Sequence, residues 1–187
     1  MTGAVLLTHG AGTNRDAPLL VALDREFTNA GLTVVRYNLP YRQKRPQGPP
    51  GRGDAEMDRA GLADAVTALR AVSTGPVFLG GHSYGARQST ILASEQPALA
   101  DGLLLLSYPL HPPRKPLDLR IAHLPALRTA SLFVHGTRDP FGSIQEMEAA
   151  LLAVPARSKL VPLERAGHEL KDAPAVVSSF LEFFLYR

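Results

Sequence analysis

The chain has 187 residues, 45% hydrophobic and 20% charged, and its 20 Lys+Arg against 17 Asp+Glu leave a formal net charge of +3. This balance excludes a disordered or fibrous chain, and so small a basic surplus, with no basic helix or recognised motif, argues against a nucleic-acid partner. The absence of cysteine excludes disulfides, thiolate metal sites and a cysteine nucleophile.

A chain of this length buries roughly 70% of the surface its unfolded form exposes, enough for one core without metal or disulfide staples. A single domain over residues 1–187 is therefore expected. The stretch Met1 to Gly10 lacks the basic start and long apolar core of a signal peptide, and its apolar run is too short to span a bilayer. A cytoplasmic protein with no membrane partner is the expectation.

Short β-rich apolar runs alternate with segments of helical period, the pattern of βαβ units and a parallel sheet. Six strands are predicted: Ala4 to Thr8, Leu32 to Tyr37, Pro76 to Gly80, Gly102 to Ser107, Ser131 to His135 and Lys159 to Leu163. Most are continuously apolar, as strands covered on both faces should be. Between them, Asp16 and Pro18 open a helix with Leu20, Leu23 and Phe27 on its apolar face, and Gly31 closes it in a left-handed conformation. Asp54 caps a second helix carrying Leu62, Val66 and Leu69 on one side. A third runs from Ala86 to Ser94. Ser143 and Glu146 fit a capping box ahead of Met147, Leu151 and Leu152. After Asp172 and Pro174, the pairs Val176/Val177, Phe180/Leu181 and Phe184/Leu185 recur every four residues and form a broad docking stripe.

Two stretches interrupt this rhythm. Arg42 to Gly53, with Lys44, Arg45 and Arg52, reads as a mobile, solvated, basic Pro/Gly-rich loop. Tyr108 to Pro116 is a second irregular stretch, and it contains His111; His123 follows shortly after.

Gly81-His82-Ser83-Tyr84-Gly85 is a G-x-S-x-G string that directly follows one predicted strand and precedes a helix. Such a turn holds a serine hydroxyl exposed above the carboxyl end of the sheet, although a glycine-rich turn of this kind also exists without catalysis. A serine hydroxyl is a poor nucleophile unless a base takes its proton and a third group orients that base. Asp139 just past the fifth predicted strand and His168 just past the sixth lie where open α/β sheets place their sites. An oxyanion hole needs two backbone N–H groups. In His9-Gly10-Ala11-Gly12, after the first strand, Ala11 offers one, and Tyr84, the residue after the serine, offers the other. Substrate contacts are expected from His9, Gly10, Gly12, His82 and Tyr108, with His82 and His135 also steadying the turns beside them.

Together the strings at His9, Gly81, His135-Gly136-Thr137-Arg138-Asp139 and Gly167-His168 resemble the α/β-hydrolase superfamily across essentially the whole chain. The small size and the run from His9 through Asp16 are most similar to its compact dienelactone-hydrolase-like group, whose relatives include a hydrolase-like subunit of a chromatin-acetylation complex. The resemblance implies a three-layer α/β/α sandwich of about six parallel strands. It implies a Ser-His-acid triad at Ser83, His168 and Asp139, acting without cofactor or metal on a small ester-like substrate. Residues 107–130 are too short for a full cap domain, so a shallow, exposed site is expected, and the missing cysteine argues against dienelactone hydrolysis itself. Hydrolysis of an ester or thioester through an acyl-enzyme is the expected function. The competing class is a catalytically silent binding or scaffold protein that keeps the fold.

Overall fold

A computed structural model describes residues 3–186. Its apolar runs form strands β1 (Ala4–Thr8), β2 (Thr33–Tyr37), β3 (Val77–His82), β4 (Gly102–Leu106), β5 (Ser131–Gly136) and β6 (Ser158–Leu163). They make one sheet in the order β2-β1-β3-β4-β5-β6, with every neighbouring pair parallel. The expected α/β class and six-stranded parallel sheet are therefore observed. Half of the strand ends coincide with the predicted ones and most of the rest differ by one residue; β3 runs two residues further, carrying Gly81 and His82 in the sheet up to Ser83.

Helices α1 (Pro18–Asn29), α2 (Pro40–Lys44), α3 (Asp54–Val72), α4 (Tyr84–Glu95), α5 (Ile144–Leu151) and α6 (Ala173–Phe184) fill the intervals. Alternation along the strands splits the core in two. Leu6, Leu79, Leu105 and Phe133 meet α3, α4 and α5 on one face. Val5, Leu7, Phe78, Leu104 and Val134 meet α1 and α6 on the other. There Phe180 of α6 sits edge-on to Phe27 and Phe78, with ring centres 4.9 and 4.8 Å away. Each such buried ring or Leu side chain contributes about 1.5–3 kcal/mol relative to exposure.

The helix punctuation is partly as expected. Gly31 takes φ 85°, and the N–H groups of Gly31 and Leu32 close α1 on the carbonyls of Thr28 and Phe27. Ser143 and Glu146 form the capping box, and the Asp172 carboxylate accepts the Ala175 N–H at the start of α6. Two predicted caps are different. Ala17, not Asp16, precedes α1, because the Asp16 carboxylate is engaged 2.8 Å from Arg36 Nη1. Gly53 precedes α3, and Asp54 begins the helix while its carboxylate holds the Gly51 N–H and the Arg45 guanidinium.

The basic stretch also needs correction. It is largely exposed, but it opens with helix α2, and Arg42 is only 5% exposed. Its guanidinium donates to four carbonyls, those of Ala11, Thr13, Arg45 and Gly48, which satisfies the charge that burial would otherwise penalise.

Between β4 and β5 the chain carries no strand and only a short 3-10 turn at Leu124–Ala126. There is no cap domain. The Arg120 N–H donates to the Leu110 carbonyl at 2.8 Å, so the ends of an exposed excursion over residues 113–119 are drawn together.

Strand order positions the site. The chain leaves β1 toward β2 and returns as β3 on the other side of β1, so the loops after β1 and β3 diverge and open a crevice at the carboxyl edge.

Candidate active site

Ser83 occupies the turn between β3 and α4 with φ 53° and ψ −113°, a conformation that non-glycine residues seldom adopt. Its N–H donates to the Leu106 carbonyl and its own carbonyl accepts the Arg87 N–H, so the turn is held from both sides. The flanking glycines are needed for close approach. A Cβ on Gly81 would lie 2.4 Å from the Gly85 carbonyl carbon, and one on Gly85 would lie 2.8 Å from the His9 carbonyl oxygen.

Ser83 Oγ is 2.8 Å from His168 Nε2, and His168 Nδ1 is 2.8 and 3.0 Å from the two oxygens of Asp139. An ionised carboxylate only accepts, so the proton is assigned to Nδ1 and Nε2 faces the serine hydroxyl as an acceptor. Burial alone would raise the Asp139 carboxyl. The hydrogen bond and charge of His168, with the Phe141 N–H and nearby His135, instead hold it below the usual carboxylate range.

The histidine is fixed through its backbone and its ring. Both His82 Nε2 and Ser107 Oγ donate to the His168 carbonyl, at 2.9 and 2.8 Å, and Phe141 packs on the imidazole with ring centres 4.2 Å apart. The loops bearing Asp139 and His168 are laced together by Thr137 N–H to Leu163 and Arg138 N–H to Ala166.

Ala11 and Tyr84 border one hollow with Ser83, and among the described residues neither backbone N–H has an acceptor. The loop that carries Ala11 is held from behind. Its carbonyl accepts both Tyr41 Oη, at 2.9 Å, and Arg42 Nη2, at 3.1 Å. Asp58, wholly buried, accepts the Tyr41 N–H and the Tyr84 hydroxyl, which couples this loop to the start of α4.

Two hollows meet at Ser83, sharing Ala11, Ser83 and Phe141. One, of about 240 Å³, adds Tyr84, Arg87, Pro109 and Arg120. The other, of about 260 Å³, adds Gly10, Gly12, Thr13, His82, His168 and Glu169. Among the described residues no group of three His, Cys, Asp or Glu side chains converges to hold a metal ion. No helix among them is long and apolar enough to cross a membrane.

Residues 1–178 match the family described as the alpha/beta hydrolase domain. The chain belongs to this family. Dienelactone hydrolase from Anabaena variabilis is similar over 99% of this chain and 86% of its own, at 24% identity and a TM-score of 0.77. An alpha-beta serine hydrolase homologue from Coxiella burnetii is 14% identical with a TM-score of 0.75, covering 98% and 84%. Est1E from Butyrivibrio proteoclasticus with ferulic acid bound is 14% identical with a TM-score of 0.78, covering 97% and 89%. At these identities the likeness is one of fold.

In this hydrolase the predicted residues Ser83, Asp139, His168, Ala11, Tyr84, Gly10, Gly12 and His82 come together around the crevice. His9 and Tyr108 do not. His9 is fully buried and bridges two backbone groups, its Nδ1 donating to Gly10 O and its Nε2 accepting the Leu39 N–H. Burial, with the Arg42 charge and against the Gly10 bond, pushes its pKa down to about 4. Tyr108 is 1% exposed, donates its hydroxyl to the Arg120 carbonyl and packs on Phe133. Residues not anticipated are Phe141, Ser107, Tyr41, Asp58, Arg87, Pro109 and Arg120, together with Arg42 in its buried role. Their roles depend on contacts between distant segments, and no local motif marks them.

Proposed function

We propose that this hydrolase cleaves a small ester or thioester through an acyl-enzyme on Ser83, within a single domain spanning residues 1–187 in which residues 107–130 stand in place of a cap. The observation that carries this reading is the unbroken hydrogen-bonded chain from Ser83 Oγ through His168 to buried Asp139. His168 Nε2 takes the hydroxyl proton as Oγ attacks the acyl carbon. The N–H groups of Ala11 and Tyr84 receive the developing oxyanion, and the imidazolium, stabilised by Asp139, returns the proton to the leaving group. A water activated by the same histidine then releases the acid and restores Ser83.

The test needs no knowledge of the substrate. A fluorophosphonate should label the folded protein stoichiometrically, read as an intact-mass shift, and should leave a folded Ser83→Ala variant unmodified. Folded wild-type protein that takes up no label would favour the silent binding protein.

A further inference from the structure

An acyl carbon bound to Ser83 has three other directions, and the site distinguishes them. The oxyanion faces Ala11 and Tyr84, and the leaving group must face His168, which protonates it. The hollow that contains His168 and Gly12 is therefore the leaving-group side, and the hollow without His168 receives the acyl chain.

That second hollow holds two arginines and no acid. Arg87 and Arg120 both line it, and neither lies within 4.0 Å of a carboxylate among the described residues. Arg87 Nε is buried without any hydrogen-bond partner, and Arg120 reaches only the Pro109 carbonyl, at 3.4 Å. Other arginines with comparable cover are matched, Arg36 by Asp16 and Asp24 and Arg42 by four carbonyls. Burial, and then the charge of Arg87, pulls the Arg120 pKa below its ordinary value, against the smaller opposing influence of Asp118 and Tyr108, as expected where two cations share a hollow lined by no carboxylate.

The pair is also rigidly presented. Arg87 sits on α4 one turn beyond Ser83, about 6 Å along the helix axis. The Arg120 backbone is pinned through its N–H to Leu110 and its carbonyl to the Tyr108 hydroxyl.

We infer that Arg87 and Arg120 form a receptor for a carboxylate at the far end of a short acyl chain, so that the preferred substrates are half-esters or half-thioesters of small dicarboxylic acids. The planar guanidinium fork matches a carboxylate in two-point contact, and no acidic side chain lining the hollow competes for the pair. The inference rests on the serine-hydrolase reading above.

The experiment compares kcat/KM for 4-nitrophenyl hydrogen glutarate with that for the uncharged 4-nitrophenyl pentanoate, each corrected for spontaneous hydrolysis, in wild type, Arg87→Gln and Arg120→Gln. Fluorophosphonate labelling of each preparation reports whether Ser83 is active. The wild-type ratio should favour the glutarate ester by about tenfold or more, and each substitution should lower that ratio by about tenfold. A wild-type ratio of one or less overturns the receptor whether or not the variants fold, as does a ratio that both substitutions leave unchanged. Normal labelling alongside either result confines the failure to the receptor. Absent labelling of the wild type removes the serine reading and the receptor with it.

Discussion

Arg42 Nη2 donates to the carbonyl of Ala11 at 3.1 Å from a position only 5% exposed, so a buried cation fixes the peptide next to the proposed oxyanion donor. Removing that side chain strands several carbonyls at once.

Arg42→Ala should therefore destabilise the fold by about 3 kcal/mol, in the range for losing hydrogen bonds to a buried charged group. Urea denaturation at neutral pH reads this as a lowered midpoint. Labelling of Ser83 by a fluorophosphonate should slow in the same variant, because the Ala11 loop loses its brace. An unchanged midpoint would mean that water replaces the guanidinium without cost.

Gly85→Ala places a methyl group 2.7 Å from Thr8 Cγ2 and 2.8 Å from the His9 carbonyl oxygen. Overpacking of this kind costs about 1–3 kcal/mol, and here β1 and α4 must separate to relieve it. A lower melting temperature together with slower Ser83 labelling is expected. A variant as stable and as reactive as wild type would show that the turn has slack.

Asp139→Asn should keep the fold and lower turnover of an ester substrate by up to about 10⁴-fold, because an amide favours the wrong imidazole tautomer and cannot stabilise its charged form. Steady-state kinetics with circular dichroism as a folding control decide it. Activity near that of wild type would remove Asp139 from the mechanism.

His9 has a folded-state pKa of about 4 against an ordinary 6.5. The unfolded chain therefore binds the extra proton first, and the protein loses stability as pH falls from about 6.5 toward 4, by about 3 kcal/mol from this residue. Urea midpoints measured through that window should drop steeply in wild type and less steeply in a folded His9→Gln variant. Parallel curves for the two would show that His9 is not the group responsible.

Sequence periodicity made the sheet, both helical layers and the three loops at its carboxyl edge legible, because each depends on residues close together in the chain. Ser83 is marked by its own turn, and Asp139 and His168 by their place just after β5 and β6. Arg42 shows why other parts were hidden. Its carbonyl partners at Ala11 and Thr13 lie 31 and 29 residues away, so a charge run that reads as solvated is in fact an internal brace. Asp16 and Asp54 fail as caps for a related reason: arginines brought in by tertiary folding compete for their carboxylates. His9 and Tyr108 neighbour the right motifs, yet both side chains are buried and held by backbone groups of distant segments, the Leu39 N–H and the Arg120 carbonyl.

The excursion pinned between Leu110 and Arg120 leaves the sheet beside the hollow that Pro109 and Arg120 line, and its middle is fully exposed. Because its two ends are already joined, doubling its length would add only about 0.6 kcal/mol of closure entropy. Extra residues grafted there would roof the crevice while the sheet, the Ser83 turn and the His168 loop kept their places. Loop length at this one point is thus an independent dial for substrate bulk, separable from the chemistry beneath it.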